Sequence, residues 1–382
     1  MKIIHLSDLH LGKRVNEFSM IEDQKYILKK ILNIIDEQNP DAVIIAGDVY
    51  DKPVPSTEAV ALLDEFLVNL AKRQLQVLII SGNHDSAERL SFGSRLMRYS
   101  GIHVAPVYDG NVRPVTLTDE YGSVNFYMLP FIKPAHVRLR FPDEEISSYT
   151  DAVATAVKHM NINSRERNII ITHQLVTGAS RCDSEDISVG GSDDVALSVF
   201  QDFDYVALGH LHGPQRVCCD TVRYCGTPLK YSFSEAGHKK SVTVLDIRKK
   251  GDINIYEAAL SPLRDMRELY GSYSEITLRE NYENVNRDDY LHITLTDEDD
   301  IPDAISKLRV IYPNIMKLDY DNTRTRRSTV ISAANDTEVK SPIELFAEFF
   351  EKQNNREMSA GERDLTQELI DEIWRGYSYE TD

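Results

Sequence analysis

Thiols are scarce in this chain, and they are scattered. Its 382 residues include four cysteines, Cys182, Cys218, Cys219 and Cys225, and none belongs to a Cys-x-x-Cys pair. Adjacent residues of a strand point to opposite faces, so Cys218 and Cys219 would diverge. Neither a zinc–thiolate cluster nor a disulfide framework is expected, and dispersed thiols suit a reducing cytoplasm. Long apolar runs are missing too. No stretch reaches the roughly 18 residues of a membrane span. The start, MKIIHLSDLHL, is interrupted by Asp8 and has no secretory apolar core. Positive charge is also short. The net charge is −18, which argues against a free-standing protein that holds nucleic acid by phosphate neutralisation alone. The deficit is partly local: residues 336–382 carry 13 acidic and 5 basic side chains, nearly half of the excess. There are no internal repeats and no low-complexity segment.

What remains is ordinary globular material, 42% hydrophobic and 27% charged, long enough for two to three domains at about 150 residues each. The first 260 residues alternate short β-branched runs with longer amphipathic stretches. Strands are predicted over 2–6, 42–46 and 77–80, with helices over 21–35 and 57–70 between them. Each of these strands runs into a polar turn, at Ser7-Asp8, Gly47-Asp48 and Ser81-Gly82-Asn83. The near-continuous apolar strands predict a sheet covered on both faces. Further strands are predicted over 169–172, 205–208, 222–225, 242–247 and 253–256, closer together and with fewer helices. The whole reads as α/β, with two mixed sheets packed face to face and helices outside.

Ser261-Pro262 marks a change. Strand-like runs at 290–295 and 315–318 with a helical stretch at 303–310 predict a small α+β domain. Three segments follow: 1–262, 263–335 and 336–382. Arg324, Arg326 and Arg327 form the densest basic run, readable as a solvated loop or as a phosphate contact. In the tail, Ser341-Pro342-Ile343-Glu344 and Ser359-Ala360-Gly361-Glu362 are capping boxes that open helices. Their apolar sides, with Phe346, Phe349 and Phe350 in one and Leu365, Leu369, Ile373 and Trp374 in the other, suit a partner surface as well as a core of their own. Following an apparently complete unit, they favour the partner. Amphipathic segments near 57–70 and 89–99 could pair two copies of the chain or simply face its core.

The chemistry sits at strand ends. Five signatures lie there: Asp8-Leu9-His10, Gly47-Asp48-Val49-Tyr50-Asp51, Gly82-Asn83-His84-Asp85, His173, and Gly209-His210-Leu211-His212. Ligand sites of α/β sheets lie beyond the carboxyl ends of strands, where loops can gather distant residues. The set offers carboxylates, imidazoles and one amide oxygen, which suits Mn, Fe or Zn. Seven donors are too many for one tetrahedral ion and suit two ions sharing a carboxylate, an arrangement that can hold both the entering and leaving oxygens of phosphoryl transfer. Each signature alone is weak. Together, in this order, they are hard to read as structural coincidence.

The set resembles the calcineurin-like metallophosphoesterase superfamily, whose motifs run Asp-x-His, Gly-Asp-x-x-Asp, Gly-Asn-His, His and Gly-His-x-His. Residues 81–90, 189–191, 203–215 and 224–235 narrow the resemblance to its SbcD branch, bacterial nuclease subunits that work with an SbcC ATPase. The likeness is strong to about residue 260, loose over the α+β segment and moderate in the tail. It implies a metallophosphoesterase fold with a small capping domain that contacts DNA and a C-terminal helical tail. It also implies that Asp8, His10 and His212 hold one metal and Asn83, His173 and His210 the other, with Asp48 bridging. His84 would steady the phosphate or protonate the leaving oxygen. Asp51 is a weaker candidate for proton transfer, because related nucleases outside bacteria often carry His there. Asp85 would orient a ligand. The implied activity is Mn(II)-dependent hydrolysis of DNA, exonucleolytic at ends and endonucleolytic on hairpins and single strands. A homodimer would dock SbcC through residues 336–382 in a cytoplasmic, heterotetramer-type complex. Two rivals share the fold. A small-molecule phosphodiesterase or protein phosphatase needs neither the added domain nor the tail. A non-enzymatic scaffold should have lost donors, and none is missing here. His5 reads as core, as does Cys225.

Overall fold

The structure, a computed structural model, describes residues 1–182, 185, 193–323 and 325, and in the tail 343, 346, 347, 350, 356, 358–367 and 369. The Arg324, Arg326 and Arg327 run, residues 189–191, the Ser341-Pro342 capping box, Phe349, Ile373 and Trp374 lie outside the described residues. Two compact units divide the chain, Met1–Thr294 with Ile301–Asp319, and Leu295–Asp300 with Tyr320–Asp382. Among the described residues no helix is long and apolar enough to cross a membrane.

In the first unit, β1 (Lys2–Leu6), β2 (Ala42–Ala46), β3 (Gln76–Ile80) and β4 (Ile102–Val104) run parallel, joined by α1 (Ile21–Gln38) and α2 (Thr57–Lys72). The hairpin β5 (Val115–Asp119) and β6 (Gly122–Leu129) leads through α3 (Tyr149–Lys158) to β7 (Arg167–Thr172) and β8 (Tyr205–Leu208). β9 (Gln215–Val217), β10 (Cys219–Tyr224), β11 (Ser241–Ile247) and β12 (Ile253–Ala259) follow. One six-stranded sheet has the order β12-β11-β1-β2-β3-β4, the other β9-β10-β8-β7-β6-β5. Both are mixed: β11 meets β1 antiparallel, and β9 meets β10 antiparallel.

The apolar runs explain themselves once the faces are separated. In β2, Ala42, Ile44 and Ala46 face the second sheet, and Val43 and Ile45 face the helices. In β7, Ile169 and Ile171 enter the same inter-sheet layer, while Ile170 faces outward toward α3. Side chains alternate with period two, so a strand buried on both sides needs apolar residues at every position. The α2 start is fixed by Ser56, whose side chain accepts the Ala59 N–H, a cap that satisfies one orphan helix donor.

Most strands lie within one or two residues of the ranges their apolar runs predict. The β5–β6 hairpin, whose first strand is only half-buried, is not among the predicted elements, and neither is α3, which opens on a Ser148–Asp151 capping box. Residues 89–99 are not one helix. They break into Ala87–Leu90 and Ser94–Met97, because Gly93 takes a left-handed conformation between them. A third sheet orders β13 (Met266–Gly271), β14 (Tyr290–Leu295) and β15 (Ile315–Tyr320), with α4 (Ala304–Arg309) between the last two strands. In the tail, Ser359 and Glu362 exchange the reciprocal hydrogen bonds of a capping box at 2.9 and 3.4 Å.

Candidate metal centre

Five loops meet at the carboxyl edge of the two sheets, and their backbones are tied together. The loops after β1 and β2 are zipped by Asp8 N–H to Gly47 C=O (3.0 Å), His10 N–H to Asp48 C=O (2.9 Å) and Leu11 N–H to Val49 C=O (2.9 Å). Asp8, His10 and Asp48 each sit at positive φ, 52°, 44° and 46°. That region is uncommon outside glycine but is most accessible to Asp, Asn and His. Two glycines are required by closeness: a Cβ at Gly82 would lie 2.1 Å from Asp48 Oδ1, and one at Gly209 would lie 1.9 Å from the Ala46 carbonyl oxygen.

The structure brings together all seven residues singled out as donors. Asp8, His10, Asp48, His173, His210 and His212 are buried. His10 Nε2 faces His212 Nε2 at 3.2 Å and lies 3.6 Å from Asp48 Oδ2. His173 Nε2 lies 3.0 Å from Asn83 Oδ1, 3.3 Å from Asp48 Oδ2 and 3.9 Å from Asp8 Oδ1. His210 places Nδ1 3.1 Å from Asn83 Oδ1, while its backbone N–H donates to Asp8 at 3.0 Å. Donor atoms of Asp8, His10 and His212 converge within 4.8 Å of one another, as do those of Asp8, Asp48 and His173.

Hydrogen-bond roles test whether this set fits a cation. His173 Nδ1 is 2.8 Å from the Ala46 carbonyl, which can only accept, so Nδ1 carries the proton. Nε2 of the neutral ring then presents a lone pair to three further oxygens. The same holds at His212, whose Nδ1 faces the Glu235 carboxylate at 3.4 Å while Nε2 faces another imidazole nitrogen. Lone pairs converging on lone pairs need positive charge between them. Without an ion, a proton takes that place. Burial lowers the His173 pKa, but the nearby Asp48 and Asp8 carboxylates outweigh it and lift it to about 9. Burial raises Asp48, and the surrounding imidazoles, His173 first, override that and hold it below the usual range. Burial, and then the Asp48 charge, push Asp8 up to about 6. Burial holds His10 well below its ordinary value and His210 at about 3, so both are neutral donors. The residues therefore fit divalent cations.

His84 sits at the rim, 21% exposed. Its N–H donates to Asp48 Oδ1 (2.9 Å), its Nδ1 lies 3.1 Å from the Asp51 carbonyl and its Nε2 3.9 Å from Asp48 Oδ2. The Asp51 carboxylate pairs with Lys13 at 2.7 Å and lies 3.7 Å from His10 Nδ1. Asp85 accepts from Val49, Tyr50 and Gly82 N–H groups at 2.9–3.0 Å, bracing the loops that carry Asp48 and Asn83. His5 is buried with Nδ1 3.1 Å from Tyr205 Oη, and the Cys225 thiol lies in the core against the His5 carbonyl.

Apart from Asp85, the supports of the centre were not foreseen in the sequence. Gln24 of α1 donates to the His10 carbonyl at 2.7 Å and to Tyr231 Oη at 3.0 Å, and Tyr231 donates to the Leu9 carbonyl at 2.7 Å. Glu185 accepts the His212 N–H at 2.6 Å. None of these stands at a strand end. The one available signal was a polar residue on an otherwise apolar helix face, as at Gln24.

Residues 1–214 match the family model described as Calcineurin-like phosphoesterase, and residues 262–354 match one described as Type 5 capsule protein repressor C-terminal domain. The SbcD subunit of the SbcCD nuclease from Staphylococcus epidermidis is 33% identical over 377 residues, 97% of this chain and 98% of that one. The crystal structure of TT1561 from Thermus thermophilus is 12% identical and covers 67% of this chain and 98% of its own, at a TM-score of 0.39, too slight a likeness to bear on the site.

Proposed function

The chain belongs to the calcineurin-like phosphoesterase family and, within it, to the SbcD nuclease subunits, and from that premise we propose how its residues cleave DNA. It is a metal-dependent phosphoesterase nuclease with an α/β fold of two mixed six-stranded sheets and a small C-terminal domain. Asp8, His10 and His212 would hold one divalent ion and Asn83, His173 and His210 the second, with the Asp48 carboxylate available to both. The observation that carries this reading is that donor atoms of Asp8, His10 and His212, and those of Asp8, Asp48 and His173, lie within 4.8 Å of one another. Mn(II) matches a set of imidazoles and oxygens without thiolate.

Two such ions supply Lewis acidity to both the entering and leaving oxygens of an in-line displacement at phosphorus. The protein does the rest. Asp48, fixed by the His84 N–H, keeps the two halves of the centre in register. His84, its Nδ1 turned to the Asp51 carbonyl, presents Nε2 at the rim, where it steadies a phosphate oxygen or protonates the leaving oxygen. Asp51, held by Lys13, lies 3.7 Å from His10 Nδ1 and acts on it through its charge; a direct proton transfer from Asp51 is the lesser role.

The substrate is DNA, cut exonucleolytically at double-stranded ends and endonucleolytically at hairpins and single strands. A cavity of about 700 Å³ supports a strand-sized ligand. It opens beside the centre at Lys13 and Tyr231 and is lined by Arg14, Phe233, His292 and Lys317. Residues 263–335 form the capping and DNA-contact domain after the nuclease domain of 1–262, and residues 336–382 dock the SbcC ATPase in the cytoplasm, in a heterotetramer-type complex. Homodimer contact is supported by Phe92, Leu96 and Tyr99, which are 83%, 75% and 91% exposed along one short stretch. Apolar groups that open to water mark interaction surfaces.

The test is cleavage of hairpin-ended DNA with Mn(II), with and without SbcC and ATP, beside His84→Gln. The variant is expected to lose about 10²–10⁴-fold in rate with its bound Mn(II) unchanged. A metal-loaded variant cutting at the wild-type rate removes His84 from the mechanism. Turnover of a generic phosphodiester with no DNA cleavage under any condition moves the substrate to a small molecule.

A further inference from the structure

Behind His212, on the side away from His10, lies a buried ion pair. Glu235 is fully buried, and its Oε2 accepts from the Lys240 ammonium at 2.5 Å. Lys240 is 5% exposed and also donates to Thr227 Oγ1 at 2.7 Å. Taking both charges out of water is costly, and such a pair adds little stability over an apolar one. Its presence calls for another reason, and the geometry offers one. Glu235 Oε1 faces His212 Nδ1 at 3.4 Å, and Lys240 Nζ donates to the His212 carbonyl at 2.9 Å. The ion pair grips one residue at both its ring and its backbone, while Glu185 takes the backbone N–H.

We infer that Glu235, neutralised by Lys240, is a positioning residue for His212: it keeps the proton on Nδ1 and aims the bare Nε2 at the metal centre. The inference rests on the metal reading of that centre. A carboxylate behind a ligating imidazole fixes its tautomer and raises its basicity. The second half of the centre is built differently: among the described residues, His173 Nδ1 is backed by the neutral Ala46 carbonyl. Loss of Glu235 therefore weakens one ion and spares the other.

A competing use of the same atoms is a third cation site, since donors of Cys182, His212 and Glu235 lie within 4.8 Å of one another. The Lys240 ammonium already supplies the positive charge there, and the Cys182 thiol lies 3.3 Å from Glu185 Oε1. The cluster is complete as a hydrogen-bond network.

The experiment measures Mn(II) binding to the full chain by calorimetry and by electron paramagnetic resonance, where a coupled ion pair and a lone ion give different spectra. Wild type is expected to bind two ions. Glu235→Ala, checked for folding by circular dichroism, is expected to bind one of them about 10–100-fold more weakly and the other unchanged. Glu235→Gln, which retains an oxygen to accept from Nδ1, recovers part of the loss. If Glu235→Ala fails to fold because Lys240 is left unpaired, Glu235→Leu with Lys240→Met removes both charges and is expected to show the same single-ion loss. Equal affinities in a folded variant overturn the inference. A third ion on wild type that disappears in Cys182→Ser overturns it in favour of a cation site. Failure of wild type to bind any ion is a different result, since it brings down the metal reading itself.

Discussion

The inner strands of the two-sheet sandwich are buried on both faces, whereas the small sheet of β13, β14 and β15 buries one. Every residue of β7 is buried, but β14 alternates after its first two positions, and β13 and β15 are mostly half-buried. The open face of the small sheet carries a ladder of charge. His292 lies 2.8 Å from Asp319 and 3.2 Å from Glu268, and Lys317 lies 2.6 Å from Asp319. A strand buried on both sides can present chemistry only at its ends, so the sandwich gathers its donors at one edge. A one-sided sheet can present chemistry along its length. The join between them is polar. Asp23 of α1 accepts from Arg264 and from Tyr290 Oη, both at 2.7 Å, and its neighbour Gln24 holds the His10 loop.

The contrast can be broken first in the sandwich. Leu245 of β11 is fully buried in the inter-sheet layer. Leu245→Ala is expected to cost about 2–5 kcal/mol through lost burial and a residual cavity, read by urea unfolding. A cost below about 1 kcal/mol would mean that the two sheets are not closely packed there. A smaller effect is expected at the join. Tyr290→Phe removes one hydrogen bond to the buried Asp23 carboxylate, worth about 1.5–3 kcal/mol. It should raise the KM for DNA more than it changes turnover of a generic phosphodiester, and an equal change in both would detach the small sheet from substrate binding.

The smallest effect appears only in acid. Arg167 grips Asp119 through both carboxylate oxygens, with the N-terminal ammonium 2.9 Å away, and together they hold its carboxyl well below the usual range despite burial. A depressed folded-state pKa adds stability above the unfolded value of about 3.9, and that stability is lost as pH falls toward the folded value. The thermal midpoint should therefore drop below about pH 4. Asp119→Asn should make that drop shallower, and an unchanged acid slope would assign it to other carboxylates.

The site was more legible in the sequence than the fold around it. Asp8, Asp48, Asn83, His173 and His210 follow directly on strands that are unmistakably apolar, so motif and element reinforce one another. Apart from Asp85, their supports gave no such sign. Glu235 and Lys240 look like surface charges in a loop, and only the three-dimensional path of residues 227–240 brings them behind His212. The break in residues 89–99 was hidden because amphipathic spacing persists across Gly93, while the left-handed turn there depends on the backbone alone. The hairpin of β5 and β6 was passed over because its first strand is half exposed and carries no long apolar run.

The most direct test of the two-ion centre is the Mn(II) stoichiometry of the full chain against Asp48→Asn. Asparagine keeps the shape of Asp48 and tolerates its positive φ, but it cannot serve as a charged bridge. Wild type should bind two ions and cut hairpin DNA. Asp48→Asn should bind at most one tightly and lose more than the roughly 10–100-fold that an outer support of a ligand is worth. Two tightly bound ions and undiminished cleavage in the variant would contradict the account.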